Sequence, residues 1–405
     1  MSASFRYGRL LGRRSRRREA VSVLGLCLGV VWGLCPTARA APDDPALDEL
    51  AARVARLVAC APGGASGLGV GAPAHDAYCR TLRPNRARFL KRFREHVAPV
   101  LSQVVPAHAG RPVVYPFGGG DLLTALGTFP DAAEVTTLSL EPAGDLRTVK
   151  QATVEELEAA LQQAGDNLRR LMAAEHSKTT NLSAMARGIL PAEIVFSLFA
   201  LDAWGFELVS FRYFDLAPDG ALVYVDAAEL AVRDRAIASR GLKGGARAAL
   251  FPHVEMTFRR PGASDVRVFR HLAGNLADAA LRRDGRLLAH LRAKGTVLAM
   301  TKAASYLLWW DGFSMVRTYL AENAAFMVSD STGLPSDVAQ AHGLTQTTYG
   351  WFTGPFLPGA NRKTAAAFAE VWKSQPLRPI RFHYGYPDAS GRGHMLVTRR
   401  EAEAP

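Results

Sequence analysis

The chain has 405 residues, 48% hydrophobic and 21% charged, a balance that excludes a disordered or fibrous protein and allows one large domain or two smaller ones. Its formal net charge is +12, but residues 1–40 hold eight arginines against one glutamate, leaving +5 for residues 41–405. So mild a charge, without an arginine stripe and interleaved aromatics, is not a nucleic-acid footprint.

Residues 1–40 read as a secretory signal peptide. A basic stretch, "RYGRLLGRRSRRREA", precedes the fifteen-residue apolar run "AVSVLGLCLGVVWGL", and Ala38-Arg39-Ala40 is a small-x-small cleavage site before Ala41. The run is too short to span a membrane, and no later segment is longer. Export to the periplasm or the extracellular space follows. Ser15-Arg16-Arg17, three diluting glycines and Arg39 fit the twin-arginine route, whereas Glu19 and Ala20 do not. Cys27 and Cys35 each follow a leucine, which is not a lipobox.

Residues 41–110 form a helical section. Leu47, Leu50, Val54, Leu57 and Val58 predict a helix over 43–59, and a second is expected from about Asn85 to Val105, with Pro99 able to kink it. Between them lies the glycine-rich "APGGASGLGVGAPAHDAY", flanked by Cys60 and Cys79. In an oxidising compartment two cysteines pair, and this bridge would contribute ~3 kcal/mol.

Residues 111–405 change to an α/β pattern. "PVVYPF" is a buried strand, "DLLTALGTF" a short helix and "VTTLSLE" a second strand. Thr153 to Glu156 is a capping box opening a long helix, and "LPAEIVFSLFALDAWG" is another helix, with proline at its start and glycine at its end. Strands follow at "FELVSFRYFDL", "ALVYVDAAEL", "HVEMTFRRP" and "VRVFRHLAG", the last two as a hairpin. "RDRAIASRGLKGGAR" is a solvated loop, since it lacks the phosphate-loop spacing. A helix over 278–293, a strand "GTVLAMTKA", one or two helices in "SYLLWWDGFSMVRTYLAENA", a strand "AFMVSD" and a helix "KTAAAFAEVWKS" come next. "IRFHYGYP" and "HMLVTRR" are expected to close as an antiparallel pair. The fold class is a Rossmann-like mixed α/β sheet behind an N-terminal helical section.

Three clusters could bind a ligand. In the first, a strand leads through Gly118-Gly119-Gly120 to Asp121 and a helix, and Glu141 ends the next strand 21 residues after Gly120. Glycines permit close approach of a ligand, a helix start offers free N–H groups, and a strand-end acid receives ribose hydroxyls. The dinucleotide fingerprint is incomplete, because Leu123 stands at its third glycine, and Pro116 precedes the loop. The same residues suit a tight turn with Asp121 as helix N-cap. Asp145 could join Asp121 and Glu141, around a ligand or a hard cation, or be a loop acid. The second cluster holds Lys302, Ser305, Tyr306, Trp309, Trp310, Asp311, Ser314 and Arg317, with Asp311 placed to cap the helix of "GFSMVR". The third, "SDSTGLP", places Asp330 at a strand end. Neither a zinc helix, a Gly-x-Ser-x-Gly elbow nor a surviving reactive cysteine occurs. No metal and no particular cofactor is indicated. Asn181-Leu182-Ser183 is formally a glycosylation sequon.

In their order, "YPFGGGD", "LSLEPAGD", "KAASYLLWWDGFSMVRTYL", "SDSTGLP" and "HYGYP" resemble a group of exported bacterial proteins described only as hypothetical. The resemblance covers roughly Val113 to Arg400. That group has Ser-Gly-Pro-Asp in place of Gly118 to Asp121 and an extra acid near Ser329 or Ser331, and it lends no activity. More distantly, the first half resembles a methyltransferase-type sheet. The expected function is binding of a small polar ligand at the strand-end acids. An S-adenosylmethionine-dependent enzyme and a metal-assisted hydrolase are the alternatives.

Overall fold

A computed structural model describes residues 44–107, 110–174, 188–330, 332–352, 362–385 and 392–400. Residues 1–40, read above as a signal peptide, and the Asn181 sequon lie outside them. Residues 41–405 make one compact unit, so the boundary at residue 110 marks a change of secondary structure within a shared core.

The sheet has ten strands: β1 Val113–Tyr115, β2 Glu134–Ser139, β3 Glu207–Leu216, β4 Leu222–Tyr224, β5 His253–Arg259, β6 Arg267–Ala273, β7 Val297–Thr301, β8 Ala324–Ser329, β9 Leu344–Gly350 and β10 His394–Arg400. Their order is β4-β3-β5-β6-β2-β1-β7-β8-β10-β9. The five central strands, from β6 across to β8, are parallel. Antiparallel strands extend the sheet on both sides.

Central strands are buried on both faces, and alternation divides their side chains between two cores. Val113, Tyr115, Leu298 and Met300 face one core, packed by helices α1 Pro45–Val58, α2 Ala72–Arg92, α3 Ala98–Val104, α4 Leu122–Thr128, α5 Val154–Ala174 and α6 Ala192–Ala203. Val114, Val297 and Ala299 face the other, packed against α9 Asp278–Arg283, α10 Arg286–Ala293, α11 Ser314–Asn323 and α12 Ser336–Ala341. Between these groups in the chain lie α7 Ala227–Arg240 and α8 Gly244–Ala248, and α13 Arg362–Lys373 follows α12. No described helix is long and apolar enough to cross a membrane.

The Cys60–Cys79 disulfide is formed, with Cα atoms 5.7 Å apart, and joins the end of α1 to the middle of α2. Several expected boundaries differ. The second helix begins at Ala72, not Asn85, so the glycine-rich stretch is helical from Ala72 on; Pro84 lies inside that helix and Pro99 stands in the first turn of α3. The alanine-rich segment after Tyr224 is not strand and loop but helix α7, capped by Asp226, and then α8. The helix expected over 278–293 breaks at Asp284–Gly285. The expected closing pair does not form: β10 pairs with β8 and with Leu344–Gly350, and the described part of "IRFHYGYP", up to Gly385, has no ladder. The residues before it, Gln375 and Arg378, run past β9 instead. Gln375 accepts from the Thr348 N–H (3.0 Å) and donates to the Gln346 carbonyl (3.0 Å), and the Gly350 N–H donates to the Arg378 carbonyl (2.6 Å).

Candidate functional site

Chain order fixes where a site can form. From β1 the chain moves one way to β2 and β6, then returns past β1 to β7 and β8. The carboxyl ends of β1 and β7 therefore flank the switch point, where open α/β sheets leave a crevice.

The glycine loop fills much of that crevice by itself. Gly118 N–H donates to the Tyr115 carbonyl (3.2 Å), Gly119 N–H to Leu138 (3.3 Å) and Asp121 N–H to Gly118 (3.0 Å). A Cβ on Gly118 would lie 2.5 Å from the Tyr115 ring, and one on Gly120 would lie 2.8 Å from Phe196. These glycines are required by packing and chain reversal, and three of the loop's N–H groups are already engaged. Asp121 is buried and caps α4, accepting from the Thr124 N–H (3.4 Å) and hydroxyl (2.6 Å) and from the Tyr115 hydroxyl (3.0 Å). Burial raises its pKa, against the lowering influence of Lys302.

Asp330 belongs to the same buried network. It follows β8 directly and accepts from the Ala303 N–H (2.7 Å) and from the Ser305 hydroxyl. Lys302, after β7, is 1% exposed and lies over the Tyr384 ring, 4.4 Å from its centroid. Ala303 has φ +60° and ψ −65°, and Ala304 N–H bonds back to the Lys302 carbonyl (2.6 Å). This is the strained form of the γ-turn, held by Asp330. Burial pushes the Asp330 pKa up to about 6.

On the other side of the loop lies a cavity of about 130 Å³. Phe117 enters it from β1, Ser139, Leu140 and Glu141 from β2, Asn275 and Leu276 from β6, and Ala304 and Leu307 from β7, with Phe313 completing the wall. Phe117 has φ +62°, unusual for a bulky residue, and its ring meets Phe313 edge to face at 5.8 Å. Two larger hollows are shallower. One, about 670 Å³, lies between β9, α12 and α13 with Glu370 as its one titratable lining residue among those described. The other, about 570 Å³, contains Asp145.

Glu141 is the one expected acid that lines the strand-end cavity. Its backbone is fixed by the Ser139 hydroxyl, which accepts from its N–H (3.2 Å), and by His271 Nε2, which donates to its carbonyl (2.9 Å). Burial pushes the His271 pKa down to about 4, so the ring is neutral at pH 7; with its proton on Nε2, Nδ1 accepts from Thr137 (3.3 Å). Nearby, Glu193 is 1% exposed, and the neutral Ser139 hydroxyl is the hydrogen-bond partner of its carboxyl. Its Oε2 is 3.6 Å from His271 Nδ1, and burial, then the charge of Glu141, hold its pKa well above the ordinary value.

Asp121 and Asp330 thus share one buried network, while Glu141 stands across the glycine loop. Asp145 is elsewhere, held by Arg147 (2.9 Å) and Arg247 (2.8 Å). The expectation that Asp311 caps α11 is corrected: Asp278 accepts from the Ser314 N–H (3.1 Å) and hydroxyl (2.5 Å) and from the Met315 N–H (2.9 Å). Arg317 donates to the Leu308 (2.9 Å) and Trp310 (3.3 Å) carbonyls, and no Asp311–Arg317 ion pair exists among the described residues. Sequence reasoning missed Glu193 and His271. An acid inside the otherwise apolar "LPAEIVFSLFAL" was the available signal for Glu193.

No family model, curated protein or solved structure matches this chain. The functional reading therefore rests on the site itself.

Proposed function

We propose that the protein binds a small polar ligand in the strand-end cavity, with Glu141 as its principal polar contact. The observation that supports this most is the placement of Glu141: a 6%-exposed acid at the carboxyl end of β2, lining a hollow beside the switch point. Phe117, Leu307 and Phe313 provide an apolar wall opposite it. The test is thermal unfolding of the chain from Ala41 onward with nucleosides, nucleotides, sugar phosphates, S-adenosylmethionine and divalent metals. A ligand at ~100 times its dissociation constant adds ~2.7 kcal/mol. A midpoint shift that disappears in Glu141→Ala supports the reading, and no shift with any member defeats it.

The second reading is an S-adenosylmethionine-dependent enzyme, favoured by strand order. The run β6-β2-β1-β7-β8-β10-β9, with β10 alone antiparallel, is the arrangement of methyltransferase-like sheets. The residues present fit that cofactor poorly in this conformation: a 130 Å³ hollow encloses only part of so large a molecule, and the glycine loop already uses most of its N–H groups. Binding would require the Phe117–Phe313 contact to open. A metal-assisted hydrolase has less support. Among the described residues the group of donors close enough to share an ion is Cys60, His75 and Cys79, and both cysteines are in the disulfide.

We also infer that the protein is exported, on the signal-peptide pattern of residues 1–40 and the disulfide. Secreted protein with Ala41 at its N-terminus is the result expected from terminal sequencing.

A further inference from the structure

Seven carboxylates are buried among the described residues: Asp121, Glu141, Asp145, Glu193, Glu255, Asp278 and Asp330. Six have side-chain partners. Asp145 has two arginines, Glu255 has Arg270 and Tyr224, Asp278 has the start of α11, and Asp121 and Asp330 have the hydrogen bonds given above. Glu193 has only the neutral Ser139 hydroxyl, and the Glu141 carboxyl has none among the described residues; only the backbone of Glu141 is bonded. These two are also neighbours, and the charge of Glu141 raises the cost of charging Glu193.

A buried carboxylate without a cation or donor is costly, and such groups mark places where a partner is missing. Basic residues are not scarce, since residues 41–405 carry 41 Lys and Arg against 36 acids. Yet among the described residues no arginine or lysine reaches this pair, and His271 beside it is neutral. The Glu193 carboxyl lies near Glu141 and Ser139, both of which line the cavity. Phe117 and Phe313 add aromatic rings on the same hollow, whose π-faces attract positive charge.

Resting on the cavity reading above, we propose that the ligand presents an organic cation, an ammonium or other onium group, to the Glu141–Glu193 pair. Glu141 supplies the countercharge. Glu193, held neutral by burial, stands behind Glu141 outside the cavity lining and adds no second charge. The aromatic wall receives the alkyl substituents of the cation.

The test uses a matched pair of probes on the chain from Ala41 onward: choline and its uncharged isostere 3,3-dimethyl-1-butanol, alongside the nucleoside and sugar panel. Binding is read by calorimetry and by the unfolding midpoint. Choline is expected to bind at least roughly tenfold tighter than the isostere, the factor that one cation–π or charge contact supplies. Glu141→Gln should abolish the preference. Glu193→Gln, which replaces a neutral carboxyl by a neutral amide, should leave both folding and the preference for choline intact. Equal binding of both probes overturns the cation proposal and leaves the cavity reading standing. A neutral panel member that binds through Glu141 while choline does not has the same consequence. No binding by any compound overturns both.

Discussion

An alanine at 118 would place its Cβ 2.5 Å from the Tyr115 ring, a side chain 1% exposed with no room to withdraw. Gly118→Ala is therefore expected to destabilise the protein by ~1–3 kcal/mol in urea titration, whatever the fate of any ligand. The "GGGD" string was visible in the sequence, but its reason was not. Spacing identifies glycines, while the ring that forbids a methyl group comes from the tertiary fold. Asp330 supplies a second residue-level expectation. Burial raises its pKa to about 6, so the folded chain binds this proton more tightly than the unfolded chain does. Its contribution is complete below about pH 4 and vanishes as pH rises through 6, a change of ~3 kcal/mol. Wild type should thus lose stability relative to Asp330→Asn across that window, read from paired denaturation curves between pH 4 and 7. Parallel curves would show that Asp330 stays charged throughout.

Elements were legible where the signal was local. The Thr153–Glu156 capping box is formed in both directions, with Thr153 N–H on Glu156 at 2.9 Å and Glu156 N–H on Thr153 at 3.2 Å. The start of α11 was not legible, because its cap arrives from α9, 36 residues earlier. Asp278→Ala should cost ~1–2 kcal/mol and Asp311→Ala almost nothing, a contrast measurable by chemical denaturation. Cys60–Cys79 was readable from the cysteine count and the export expected from residues 1–40. Reduction, or the double serine variant, is expected to lower stability by ~2–5 kcal/mol. What escaped was α7. Its segment has only Arg233 buried, so no apolar stripe announced a helix, and Arg233 is held by Asp215 and Glu229 instead.

For the whole molecule, the parallel centre of the sheet could be anticipated from its apolar runs, and its antiparallel wings only in part. Strand β9 shows why. "LTQTTYG" is half polar and lies at the edge, so burial imposes no clear alternation on it. The candidate site followed the same rule: Glu141 ends a recognisable strand, whereas Glu193 and His271 reach it from α6 and β6, elements whose positions depend on the complete topology. A ten-stranded open sheet also has two ends at which a further strand could dock. One is occupied by β4, only three residues long. At the other, Gln375 uses a side-chain amide to occupy a donor and an acceptor on β9 that a neighbouring backbone would otherwise take. A single glutamine thus imitates a strand without offering the next rung. Together with the Arg378 carbonyl on the Gly350 N–H, this covers part of the β9 edge, and Gln375→Ala should increase the concentration-dependent light scattering of concentrated, folded samples.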